Sequence, residues 1–133
     1  MSTYSQNTMS YNNRANRAYT ESAVLSASPS QLVIMLYDGA IRFLSQASAA
    51  MDAGNRDVAR NRIFRADDII NELNNTLDME QGGQISEQLR SIYLWTKRQM
   101  MEAVTEQDSA KVQECIQSLS ELREAWAQTS QTV

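Results

Sequence analysis

Ser28-Pro29-Ser30-Gln31 is the stretch that decides the fold. Serine is a strong N-cap because its short side chain accepts a bond from a backbone N–H that the helix leaves free, and proline suits the first helical position, where no N–H is needed. A glutamine three residues past the cap reaches back to the cap's own N–H. The helix opened here carries Leu32, Leu36, Ala40, Phe43, Ala47 and Met51 on one stripe and runs to about Asp52, where Gly54 ends it. Val33, Ile34, Met35, Tyr37, Ile41 and Leu44 widen the stripe until most of the helix is apolar, so it is either central in a bundle or contributes a second, partner-facing surface.

Downstream the same period recurs three times. A second helix is predicted from about Arg56 to Leu77, with Ala59, Ile63, Ala66, Ile70, Leu73 and Leu77 as its seam. After a break from Asp78 to Gln84, a third runs from Ile85 or Ser86 to Glu106 on Leu89, Ile92, Tyr93, Thr96, Met100, Ala103 and Val104. Asp108 caps a fourth, with Val112, Cys115, Ile116, Leu119, Leu122 and Trp126. Helices of about 20 residues are about 30 Å long, and short breaks make sequential neighbours antiparallel. The expected fold is all-α, an antiparallel up-down four-helix bundle over residues 25–128, with a mobile N-terminal tail at 1–24 and a short C-terminal tail at 129–133.

Composition excludes most chemistry. The 133 residues contain no His, which removes Ser-His and Cys-His nucleophile pairs, HExxH metal sites and the Glu-x-x-His pairs of di-iron bundles. The single Cys, Cys115, lies on a core stripe and is read as a small core residue. Asp67, Asp68 and Glu72 sit beside the second seam among Asn and Arg, where a solvated face is the simpler reading. No enzyme activity, metal or cofactor is expected. Gly82-Gly83-Gln84 resembles the peptidyl-hydrolysing loop of release factors, but the acidic chain lacks the basic surface ribosomal work needs, and the glycines are read as a flexible interhelical loop. Twelve basic against sixteen acidic residues give a net charge of −4, which argues against nucleic acid as principal ligand. The longest apolar run, Leu32 to Tyr37, is too short to span a bilayer, and the polar N-terminus has no signal-peptide pattern, so a cytoplasmic protein without membrane insertion is expected.

Some apolar residues remain after the seams are assigned. Trp95 shares its face with Gln88, Ser91, Arg98 and Glu102, and Phe64 with Arg60, Asp68 and Asn71, so both are expected near solvent. Exposed aromatics of this kind mark a partner surface or a dimer contact. Arg56, Arg60, Arg62 and Arg65 crowd the first half of the second helix, against the order its macrodipole prefers; either acidic faces within the bundle or an acidic partner would account for them. Tyr4, Tyr11 and Tyr19 punctuate the polar tail, suggesting docking, with packing of Tyr19 onto the body as the alternative.

The run from Ser26 to Ala40, SASPSQLVIMLYDGA, closely resembles the opening of the FliS family, bacterial flagellar export chaperones that hold flagellin before secretion. The likeness continues through Tyr19, ten residues before Pro29, Ile69-Ile70-x-x-Leu73-x-x-x-Leu77-Asp78 with Gly82-Gly83, Leu89-x-x-x-Tyr93 and Leu122-Arg123-x-Ala125-Trp126, covering residues 19–126. The resemblance implies a helical bundle without enzymatic activity that binds the disordered C-terminal segment of flagellin, prevents premature polymerisation and presents it to a component of the export gate. It also implies an N-terminal segment that covers the groove or docks at the gate, with Tyr19 as plug. In parts of the family an anti-sigma factor or another flagellar regulator is a further partner. The residues expected to line the groove are those left outside the intrachain seam: Ile34, Ile41, Phe64, Ile69, Trp95 and Met101. The competing expectation is a structural homo-oligomeric bundle, a homodimer in its simplest form, in which the same residues make subunit contacts.

Overall fold

The computed structural model describes residues 26–78 and 82–132, together with Arg17, Glu21 and Ser22. Four helices make up the body: α1 (Pro29–Asp52), α2 (Arg56–Asn75), α3 (Gly83–Glu106) and α4 (Ser109–Thr132). There is no strand among the described residues, and α4 continues past residue 128 to Thr132. No helix among the described residues is long and apolar enough to cross a membrane.

The N-terminus of α1 is built as its sequence dictates. The Ser28 hydroxyl accepts from the Gln31 N–H at 3.3 Å and the Gln31 side chain accepts from the Ser28 N–H at 2.8 Å, closing a capping box ahead of Pro29. Asn55 caps α2 through Val58 N–H, and Asp108 accepts from Ala110 N–H at the start of α4. Two boundaries differ from the sequence reading. The second helix stops at Asn75 because Thr76 folds back, its hydroxyl donating to Leu73 O at 2.6 Å, and Leu77 lies beyond the helix while still packing on the core. The third starts at Gly83, so Gly83 and Gln84 belong to its first turn and not to a flexible loop. The turn before it closes on the Asp78 carbonyl, which accepts from Gly82 N–H at 2.8 Å and from the Ser86 hydroxyl at 2.9 Å. A Cβ at Gly82 would stand 2.5 Å from that carbonyl oxygen, so only glycine fits.

The helices form a ring in which α1 packs on α2 and α4, and α3 closes the square against the same two. Cross-helix bonds fix the antiparallel register. Ser48 near the end of α1 meets Gln113 near the start of α4, and Asp38, further back on α1, meets Arg123, further on in α4. Glu102 and Gln99 of α3 likewise meet Lys111 and Glu114 of α4. The innermost residues are Tyr37, Ala40, Leu44 and Ala47 of α1, Ala59, Ile63, Ala66, Ile70 and Leu73 of α2, Tyr93, Thr96, Met100 and Ala103 of α3, and Val112, Cys115 and Leu119 of α4. Helix α1 is therefore rotated relative to its simplest stripe: Tyr37 and Leu44 point fully inward, whereas Leu32, Leu36 and Phe43 are half-buried.

At the α3–α4 turn, Gln107 adopts a left-handed conformation (φ 54°, ψ 45°) and its N–H closes the helix on Ala103 O. Its Nε2 donates to Val104 O at 2.8 Å, but its buried Oε1 finds no partner among the described residues. A left-handed non-glycine residue costs about 1–2 kcal/mol. Gln107→Gly is accordingly expected to stabilise the bundle by about 1 kcal/mol in thermal denaturation followed by circular dichroism. A drop in stability would mean that the side-chain bond to Val104 outweighs the backbone strain.

Candidate functional site

Among the described residues, the end of the bundle where α1 and α3 begin and α2 and α4 stop is open. A cleft of about 540 Å³ opens there, walled by Leu32, Val33 and Leu36 of α1, Leu77 after α2, Ile85 and Leu89 of α3 and Trp126 of α4. A second depression of about 310 Å³, lined by Ile85, Leu89, Leu122, Ala125, Trp126 and Thr129, continues it over the α3–α4 seam. The two share Ile85, Leu89 and Trp126, and Ile85 is 68% exposed, the most open of the large apolar side chains among the described residues. The surface arises because the apolar stripes of four helices run on to the last turn, where none of the described residues forms a further layer over them.

Beneath the cleft, Tyr37 and Tyr93 reach across the bundle and join hydroxyl to hydroxyl at 2.5 Å, their rings tilted at 45° with centroids 6.4 Å apart. Burial pushes both phenols above the ordinary tyrosine range, and the pair's mutual bond adds to the rise at Tyr93 while partly offsetting it at Tyr37. Cys115 lies fully inside, its Sγ 3.8 Å from Thr96 O, and desolvation pushes its thiol up to about 12, so it is unreactive at neutral pH. No group of three or more Cys, Asp or Glu side chains suited to a metal ion occurs among the described residues.

The sequence-derived groove residues are spread over three helices, and none of them lines the cleft. Ile41 and Met101 are half-buried against the core, Ile69 packs so close to α1 that a Cβ at Gly39 would come within 3.1 Å of its Cδ1, and Ile34 is half-buried on α1. Phe64 and Trp95 are at the surface, 47% and 36% exposed, and Trp95 lines a separate shallow depression with Ala110, Gln113, Glu114 and Gln117 of α4. Tyr4, Tyr11 and Tyr19 lie outside the described residues. Among the described residues none of Arg56, Arg60, Arg62 and Arg65 forms an ion pair. Of the cleft residues, Leu32, Leu36, Leu77, Leu89 and Trp126 were assigned to the seams, and Ile85 to none. The signal that could have separated them is position: Leu32, Leu77, Leu89 and Trp126 are the terminal members of their stripes.

The family model for the flagellar protein FliS matches residues 11–133. The chain is 38% identical to the flagellar secretion chaperone FliS of Salmonella typhimurium over 111 residues, covering 83% of this chain and 82% of that one. It is 37% identical to the protein of the same name in Vibrio cholerae, with 81% and 79% covered, and 28% identical to that of Bacillus subtilis, with 86% and 85% covered. The family is one of secretion chaperones and not of enzymes, in keeping with a chain that has no His and an open apolar end. A four-helix bundle matched over nearly its whole length by that family model belongs to the FliS family.

Proposed function

We propose that this chain is a cytoplasmic export chaperone for flagellin, which binds the disordered C-terminal segment of its client, prevents premature polymerisation and hands the complex to the export gate. The observation that carries the reading is the apolar cleft from Leu32 to Trp126, continued over α3 and α4, on a chain whose relatives are named flagellar secretion chaperones. An amphipathic segment that folds on binding loses ordering entropy, and a long apolar surface supplies the burial that offsets it. Covering the client's apolar face removes the surface through which client molecules would associate with one another.

Mixing the protein with flagellin, and with flagellin shortened at its C-terminus, and separating the products by size tests this. Full-length flagellin is expected to co-elute and the shortened form to run alone. Equal binding of both would sink the reading. A chain that ignores flagellin yet sediments as a tight oligomer would instead be a structural bundle.

A further inference from the structure

Phe64 stands on the outer face of α2 with 47% of its surface exposed, and the residues about one turn to either side of it carry opposite charges: Arg60 four positions before, Asp68 four positions after. Both are exposed, and neither forms an ion pair among the described residues. The same segregation runs along the whole helix. Arg56, Arg60, Arg62 and Arg65 occupy its first half and Asp67, Asp68 and Glu72 its second. Arg56 with Arg60, and Asp68 with Glu72, are like charges four residues apart, which repel on a helix surface. The order is also the one the helix dipole disfavours, with cations at its positive end.

A second copy of the chain relieves every one of these conflicts. A twofold axis at Phe64 sets α2 antiparallel to α2 of the other copy, so that a residue a given number of positions before Phe64 lies level with the residue the same number after it. Arg60 of each copy then meets Asp68 of the other, and the two Phe64 rings meet at the axis. Asp57 comes level with Asn71, whose Oδ1 already accepts from Lys97 Nζ at 2.6 Å and whose amide N–H groups are left to donate. The acidic half of each α2 lies beside the arginine half of the other, where the dipole favours it. We propose that this face of α2 is a self-association surface, joining two copies of the chain about a twofold axis through Phe64 with reciprocal Arg60–Asp68 pairs. One helix face from each copy is a small contact, and its charges are exposed, so the dimer is weak, reversible and sensitive to salt. None of these residues lines the cleft, so self-association stands or falls independently of the flagellin reading.

Sedimentation equilibrium of the full chain, from micromolar to millimolar concentration and at low and high salt, tests it. The wild type is expected to dimerise as concentration rises and to dissociate as salt is added. Phe64→Ala, Arg60→Asp and Asp68→Arg are each expected to lower the association constant about tenfold or more. Arg60→Asp combined with Asp68→Arg in one chain exchanges the charges and is expected to restore it to within about threefold of wild type. The two charge variants, each monomeric alone, are expected to associate when mixed, because one then carries only acidic and the other only basic groups around Phe64. A wild type that stays monomeric at every concentration overturns the proposal, as does a mixture of the two charge variants that fails to associate. Phe64→Ala that dimerises like the wild type while losing affinity for flagellin also overturns it, by assigning the face to the client.

Discussion

Ile85→Glu is expected to raise the thermal stability of the free chain and to weaken binding of the flagellin C-terminal segment about a hundredfold. Ile85 is the third residue of α3 and is 68% exposed, so replacing it removes little from the core. The first turn of α3 has no acidic residue and its N-cap, Gly82, offers no side-chain acceptor. A carboxylate placed there meets unsatisfied N–H groups and the positive end of the helix dipole, worth about 0.3–1 kcal/mol. Ile85 also lines both halves of the cleft. An apolar segment seated over it would strip water from the new charge without offering a partner, a penalty of about 3 kcal/mol or roughly a hundredfold in affinity. Melting curves and calorimetry read the two effects separately. Unchanged affinity would move the binding surface away from the cleft, towards Phe64 and Trp95.

The second large effect is alkaline unfolding. Burial raises the pKa of Tyr37, Tyr93 and Cys115 in the folded chain, the thiol to about 12. In an unfolded chain tyrosine titrates near 10 and cysteine near 8.5, approximately. Below these values all three groups are protonated in both states, and their contribution to stability is fully present and independent of pH. Above them the unfolded chain releases protons that the folded chain retains, so stability falls by about 1.4 kcal/mol per pH unit for each group. From about pH 10 the three together lower it by about 4 kcal/mol per unit, against a total of about 5–15 kcal/mol for a domain. The bundle is expected to be stable at neutral pH and to unfold cooperatively between about pH 10.5 and 13. Helical circular dichroism and tyrosinate absorbance recorded together check this, because the buried phenols should ionise only as the helix signal is lost. Ionisation of Tyr37 and Tyr93 in a still helical protein would contradict it.

Helix number, direction and most of the core were legible in the sequence because both codes are local. Ser28 and Gln31 announce a helix start whatever surrounds them, and Ala59, Ile63, Ala66, Ile70 and Leu73, the buried row of α2, follow from spacing alone. The rotation of α1 was less legible. Tyr37 and Leu44 displace Leu32 and Leu36 from the centre, a choice fixed partly by the diagonal partner Tyr93, fifty-six residues away. The start of α3 was missed because Gly82 and Gly83 read as a loop, whereas the Asp78 carbonyl and Ser86 hydroxyl draw the chain directly into a helix. Exposed Trp95 and Phe64 were legible as leftovers from the period, but the cleft was not. Periodicity tells which side of a helix faces inward, and it does not tell whether another layer lies beyond the last turn.

The connections have a kinetic consequence. Three residues join α1 to α2, two join α3 to α4, and seven separate α2 from α3. Consecutive helices that pack on each other keep most contacts local along the chain, and chains of that kind fold within microseconds to milliseconds, far faster than the ribosome adds residues. The only ring contact that must wait for all four helices is α1 with α4, and the cleft is completed by Trp126 of α4. The apolar end of the bundle is thus assembled last, once the fourth helix is in place, so a chain that has formed only the first three helices displays no finished docking site.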